Sequence, residues 1–185
     1  NVIEPFNIPY DWQDKLSIDP GLKNPLSCHW YAVDYDGNVY VVAEHYDREK
    51  DISYHADCIH KICERLNWHT LPNGNIEALI DSAANQTTLA STRSVADLFY
   101  DYGISVNTNV NKDLFSGINR VKSYLCDANG NRKLFIFSTC TNKGNERLFV
   151  GQRRPPNQAR RSLNGRTALL HNVATRKSPR QACRE

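Results

Sequence analysis

Two short stretches decide the fold of this chain. They are Lys15-Leu16-Ser17-Ile18-Asp19-Pro20-Gly21 and Ile76-Glu77-Ala78-Leu79-Ile80-Asp81-Ser82-Ala83. Each is a brief apolar run that ends on an aspartate and is then broken, by Pro-Gly in the first case and by small residues in the second. Both read as strands whose last residue is an acid. Downstream of the first, Asn24-Pro25 marks a loop, and β-rich runs follow at 27–35 and 38–46 with Asp36-Gly37 between them, a strong hairpin signal. The unbroken apolar run Val39-Tyr40-Val41-Val42-Ala43 predicts a central strand covered on both faces.

The period then changes. Ile52, Ala56, Ile59, Cys63 and Leu66 fall at helical spacing and predict a helix over 52–66. A second helix is predicted over 87–102, with Gly103 as its stop, and a short strand over 104–106. Asn111 is expected to cap a third helix in which Leu114, Ile118, Val121 and Leu125 share a face. A turn at 127–131 leads to a last strand over 133–139. Three closely linked strands followed by alternating helices and strands imply an α/β fold, a mixed sheet with helices on its faces.

Charge divides the chain. The 185 residues carry a net +3, yet residues 1–142 hold 12 basic and 18 acidic side chains, whereas 143–185 hold 11 basic and 2 acidic. The expected organisation is an extended lead-in (1–13), an acidic globular domain (14–142) and a basic tail (143–185) whose composition does not favour a packed core. No apolar run approaches the ~18 residues of a membrane span. A leader peptide is not expected, because residues 1–6 are polar and acidic. A start at Asn and a lack of Met suggest a piece of a longer product. A cytosolic setting would keep the six cysteines reduced, with Cys28, Cys58, Cys63, Cys126 and Cys140 acting as small hydrophobes within periodic segments.

Asp19 and Asp81 are the candidates for chemistry. Sites in open α/β sheets form at the carboxyl ends of strands. If these two strands are parallel neighbours, the carboxylates meet, and ionised they repel unless a cation lies between them. Hard oxygen ligands suit Mg²⁺ or Mn²⁺. Two such ions, roughly 3.5–4 Å apart, activate water and stabilise the leaving oxygen in phosphodiester hydrolysis. The plainer reading is that each Asp ends its strand or caps the next turn.

The motifs Ser17-Ile18-Asp19-Pro20-Gly21 and Ile80-Asp81-Ser82-Ala83 closely resemble the nuclease domain of the bacteriophage terminase large subunit. Resembling segments also occur at Asn24-Pro25-Leu26-Ser27, Lys112-Asp113-Leu114-Phe115-Ser116-Gly117-Ile118 and Leu134-Phe135-Ile136-Phe137-Ser138. The resemblance spans 16–142. It implies a ribonuclease H-like mixed sheet of five to six strands flanked by helices, and a metal-dependent endonuclease that cuts concatemeric viral DNA in the host cell cytoplasm. The implied cofactors are two Mg²⁺ or Mn²⁺ ions, with Asp19 bridging both and Asp81 holding one. Implied partners are double-stranded viral DNA and, in a full-length protein, an ATPase motor, the portal and a small terminase subunit, with no membrane. By that resemblance residues 1–13 would end the linker from the motor. No G-x-x-x-x-G-K-[ST] loop occurs, so ATP hydrolysis is not expected of this chain. The family's third acid, on a helix after the last strand, has no counterpart. Only Glu146 and Glu185 remain after residue 142, so Glu146 is the candidate replacement, with Glu44 at the end of its strand a second. Without a third ligand the same fold would serve as a catalytically impaired DNA-binding or motor-docking fragment. A resolvase- or integrase-like nuclease is the other alternative.

Other candidates carry less. Cys58-x-His60-x-x-Cys63 lies on the predicted helix, where ~100° per residue splays the three side chains apart and disfavours zinc. Cys28 and His29 point to opposite faces of a strand. Asp34 and Asp36 are turn residues. Tyr31, Tyr35, Tyr40 and Tyr46 are expected to pack the sheet. Lys112, Lys122, Arg153 and Arg154, with the Arg-rich tail around them, are the expected phosphate contacts.

Overall fold

The computed structural model describes residues 1–21, 25–86, 92–110 and 113–140. The chain divides into two units, Asn1–Arg153 and Arg154–Glu185, and everything described here belongs to the first.

Seven strands form one mixed sheet: β1 (Val2–Ile3), β2 (Gln13–Asp19), β3 (Leu26–Val33), β4 (Val39–Asp47), β5 (Ile76–Ile80), β6 (Ile104–Asn107) and β7 (Leu134–Phe137). Their spatial order is β1-β7-β4-β3-β2-β5-β6. The antiparallel meander β2-β3-β4 occupies the middle, and the outer strands add in parallel on both sides. Three helices complete the unit: α1 (Ile52–Leu66), α2 (Val95–Asp101) and α3 (Leu114–Leu125).

The α/β class and mixed sheet are as expected, but the strand count of five to six is corrected to seven. The additional strand comes from the lead-in. Val2 and Ile3 pair with Ile136 and Phe137, while the Asn1 side-chain amide donates to the carbonyls of Leu125 and Leu134. Ile8 is fully buried, and Phe6 and Trp12 join an aromatic cluster with Tyr40 and Phe137. Residues of the 1–13 segment thus pair and pack with the domain. Apolar burial on this scale stabilises by ~1.5–3 kcal/mol per large side chain.

Burial alternates along the meander. In β3, Leu26, Cys28, Trp30 and Ala32 are buried, and the residues between them are less so. The buried set faces α1 and α2, whose Ile59, Ile62, Cys63, Leu66 and Phe99 complete the core. Trp30 is fully buried and its indole N–H donates to Cys63 Sγ at 3.3 Å. The five described cysteines are all free thiols.

Local signals account for the element ends. Asp51 caps α1 by accepting from Tyr54 N at 2.8 Å, and Asn67 closes the helix in the left-handed region. Ser94 and Asp97 form a reciprocal capping box on α2, which begins later than the expected 87–102. Asp113 caps α3, whereas the expected cap Asn111 lies outside the described residues. The Asp36-Gly37 turn closes the hairpin, with Gly37 at φ +75°.

A β-bulge opposite Trp30/Tyr31 shifts the register of β4 by one residue. Glu44 and Tyr46 therefore share a face with Val41 and Val39, while Tyr40 turns to the other side. There it stacks between Trp12 and Phe135.

Candidate active site on the open face of the sheet

The parallel pairing of β2 with β5 sets Ser17 opposite Leu79 and Ile18 opposite Ile80. The next residue on each strand is an aspartate, so Asp19 and Asp81 end adjacent parallel strands, about one strand spacing (~4.8 Å) apart. Ile18 and Ile80 are buried toward α1 and α2, and pleat alternation carries Asp19 and Asp81 to the opposite, exposed face. A one-turn 3-10 helix, Ser82–Asn85, follows Asp81, and Asp81 Oδ1 accepts from Ala83 N at 2.7 Å. The carboxylate thus performs the turn-capping role of the plainer reading, and that bond fixes its orientation at the strand end.

Cross-strand register identifies what shares this face. Ser27 lies opposite Asp19, and Tyr46 lies opposite Ser27. One pleat repeat further down, Ser17, His29 and Glu44 form a second row, and Lys15 and Tyr31 begin a third. Ser27 Oγ approaches His29 Nδ1 at 3.5 Å, and the Ser17 hydroxyl donates to Tyr31 Oη at 3.4 Å. Burial lowers the pKa of His29 from its ordinary 6.5, against a smaller opposing pull from Glu44. Burial favours the neutral imidazole.

Glu44 is two strands and one pleat repeat from Asp19, roughly 12 Å between Cα atoms by strand spacing and rise. It lines a cleft of about 610 Å³ between this face and α3, with His29, Tyr31, Val39, Val41 and Cys140 among its neighbours. Glu44 therefore faces the cleft rather than the Asp19–Asp81 edge. Among the described residues no group of three or more His, Cys, Asp or Glu is arranged to hold a metal ion. Glu146, Lys112, Arg153 and Arg154 lie outside the described residues, and Lys122 is exposed on α3. The sites set aside on sequence grounds stay apart: Cys63 meets Trp30, while the His60 ring donates to the Tyr102 carbonyl at 2.6 Å. Cys28 is in the core and His29 is on the open face.

The tyrosines divide in a way that residue type does not reveal. Tyr40 is packed as expected. Tyr35 is exposed and donates to Asp11. Tyr46 is 43% exposed on the face of the aspartates, a correction to its expected role in packing. Its signal was the alternation Glu44-His45-Tyr46, in which a buried His45 forces its neighbours outward.

The geometry defines a class before any comparison: a mixed α/β sheet with two acids at the carboxyl ends of adjacent parallel strands. No protein-family model matches the sequence, and no curated protein does. Solved structures do. The P22 large terminase nuclease domain is 16% identical, matching 75% of this chain and 68% of its own, with a TM-score of 0.56. The large terminase of a thermophilic bacteriophage is 19% identical, with 75% of this chain matched and a TM-score of 0.50, and there the match spans 32% of that longer chain. The fold is that of phage large terminase nuclease domains, the ribonuclease H-like arrangement.

Proposed function

We propose that this chain is the metal-dependent endonuclease domain of a phage DNA-packaging terminase, hydrolysing phosphodiester bonds of concatemeric double-stranded viral DNA. The observation that carries the reading is the placement of Asp19 and Asp81 one residue beyond the last registered pair of β2 and β5, on one exposed face. Two hard carboxylates fit Mg²⁺ or Mn²⁺. Mg²⁺ commonly takes one or two protein carboxylates and completes its shell with water and substrate phosphate, so a set of three protein donors is not required for binding.

When bound, the divalent ions supply charge neutralisation and an activated water. The chain's own residues do the rest. Asp19 would serve both ions and Asp81 would hold one, with the Asp81 carboxylate restrained at the strand end by the hydrogen bond it accepts from the Ala83 amide. His29, whose neutral form burial favours, and Ser27 offer hydrogen-bonding groups beside Asp19. Viral DNA, an ATPase motor, the portal and a small terminase subunit are the partners this reading entails, in the host cytoplasm. No described helix is long and apolar enough to cross a membrane.

A second reading has its own support. With no three-donor cluster among the described residues, the fold also suits a DNA-binding or motor-docking fragment with impaired catalysis. Plasmid nicking separates the two. Mn²⁺-dependent nicking that disappears in Asp19→Asn supports the nuclease. Salt-sensitive DNA binding with no cleavage at any metal concentration supports the fragment.

A further inference from the structure

Tyr46 is a partly exposed aromatic side chain of β4. It is 43% exposed, and no hydrogen bond or ring contact among the described residues engages it. The other tyrosines of the meander differ: Tyr40 is stacked, Tyr31 is hydrogen-bonded to Ser17, and Tyr35 to Asp11. Tyr46 shares a cross-sheet row with Asp19, through Ser27, and all three point to the open face. Two strand spacings, about 10 Å, separate the Cα atoms of Tyr46 and Asp19. A phosphate at Asp19 therefore puts the base of a neighbouring nucleotide within reach of the Tyr46 ring.

We propose that Tyr46 is a base-stacking platform, and that the open face takes a strand with at least one unpaired base beside the scissile phosphate. This rests on the reading of the Asp19 edge as a nuclease site and adds the state of the nucleic acid it accepts. A base inside a duplex already stacks on its neighbours and does not offer its face to a side chain. An unpaired base does, and stacking on an aromatic side chain is then sequence-tolerant. Beside Tyr46 the face carries the hydroxyls of Ser27 and Ser17, with His29 and the acids Asp19 and Glu44 in the same two rows.

The test uses the full chain carrying Asp19→Asn, so that binding is read without cutting. Anisotropy of a labelled oligonucleotide is compared for the single strand and its fully paired duplex. Adding Tyr46→Ala should weaken single-strand binding at least about fivefold, the lower end of what base stacking contributes. Duplex binding and the dependence of affinity on salt should hold, since phosphate contacts are untouched. Tyr46→Phe should bind like its parent, because the ring and not the hydroxyl is used. Where Tyr46→Ala lowers the melting temperature, Tyr46→Trp replaces it, and emission in excess of that chain's parent should be quenched by the single strand. Equal single-strand binding in Tyr46→Ala, a loss in Tyr46→Phe as large as in Tyr46→Ala, no quenching in Tyr46→Trp, or no single-strand binding by the parent would overturn the proposal. The two readings fail separately. Mn²⁺-dependent nicking by the native chain without a Tyr46 effect sinks only the platform. Tyr46-dependent binding without nicking sinks the nuclease reading and the scissile phosphate with it, and keeps only the stacking platform.

Discussion

The two faces of the central sheet are made from the same strands and have opposite characters. Toward α1 and α2 lie Leu16, Ile18, Cys28, Trp30, Ala43, Ala78 and Ile80, all nearly or fully inaccessible to water. One residue along each strand, the other face carries Ser17, Asp19, Ser27, His29, Glu44, Tyr46, Leu79 and Asp81. A period of two residues is enough to separate a hydrophobic core from a polar surface. The difference teaches that stability and chemistry are held by alternate positions of one set of strands, so each can be changed with little effect on the other.

The largest effect should come from the covered face. Trp30→Ala removes the biggest fully buried side chain, together with its hydrogen bond to Cys63. The expected loss is about 3–5 kcal/mol of unfolding free energy, measured by urea titration. A loss under ~1 kcal/mol would mean that the core is not packed as described. Asp19→Asn on the open face should do the reverse. Changes around a metal site typically weaken activity about 10–100-fold, and loss of a carboxylate ligand should reach at least the upper end. The same variant should unfold at nearly the parent's urea midpoint, because Asp19 is exposed. Nicking that survives in Asp19→Asn would remove the open face from the chemistry.

The covered face also contains a titrating pair. His45, buried on β4, and His55, buried on α1, share a hydrogen bond of 2.9 Å between Nε2 and Nδ1. Burial, followed by the neighbouring His55, pushes the pKa of His45 from 6.5 down to about 4, and Asp47 opposes this. The pKa of His55 is also lowered, chiefly by burial, against Asp47, the Lys50 backbone and Asp51. Below pH 6.5 the unfolded chain takes up a proton that the folded chain refuses, so stability falls as pH drops from 6.5 toward 4. For His45 alone, moving from pH 7 to pH 5 should cost about 2 kcal/mol. The capping and turn carboxylates act in a lower window. Hydrogen bonds hold Asp51, Asp97 and Asp127 below their ordinary 3.8, so their contribution is lost only in stronger acid. Equal urea midpoints at pH 7 and pH 5 would show that the pair is hydrated in solution.

Much of this arrangement was legible in the sequence, and the parts that were not have physical causes. The aspartates were readable because a strand ending in an acid before Pro-Gly or Ser-Ala-Ala is a local signal. Their adjacency was a condition in the sequence reading, and it is the parallel pairing of β2 with β5 that meets it. β1 was invisible, since a two-residue strand has no period and is defined by its partner β7. The role of Tyr46 was hidden by the bulge in β4, which a continuous apolar run conceals. Glu44 lies one row away from Asp19 on the same face, and rows are set by cross-strand register that a single sequence does not print.

The smallest expected effect concerns α3, where the sequence and the structure part. Helical spacing placed Ile118, Val121 and Leu125 on one apolar face, as a core-facing helix would have them. In the structure those residues are exposed, and Phe115 is the most open at 78%. Spacing reports that a helix has an apolar side but not that anything covers it. Phe115→Ser therefore removes a side chain that contacts mostly water. The urea midpoint should correspond to a change within about 0.5 kcal/mol, the range of an ordinary surface substitution. A loss above ~1.5 kcal/mol would place Phe115 under cover and reclassify the α3 side of the open face as a second packed layer. The contrast between a covered and an open face would then hold only at the Asp19–Asp81 edge.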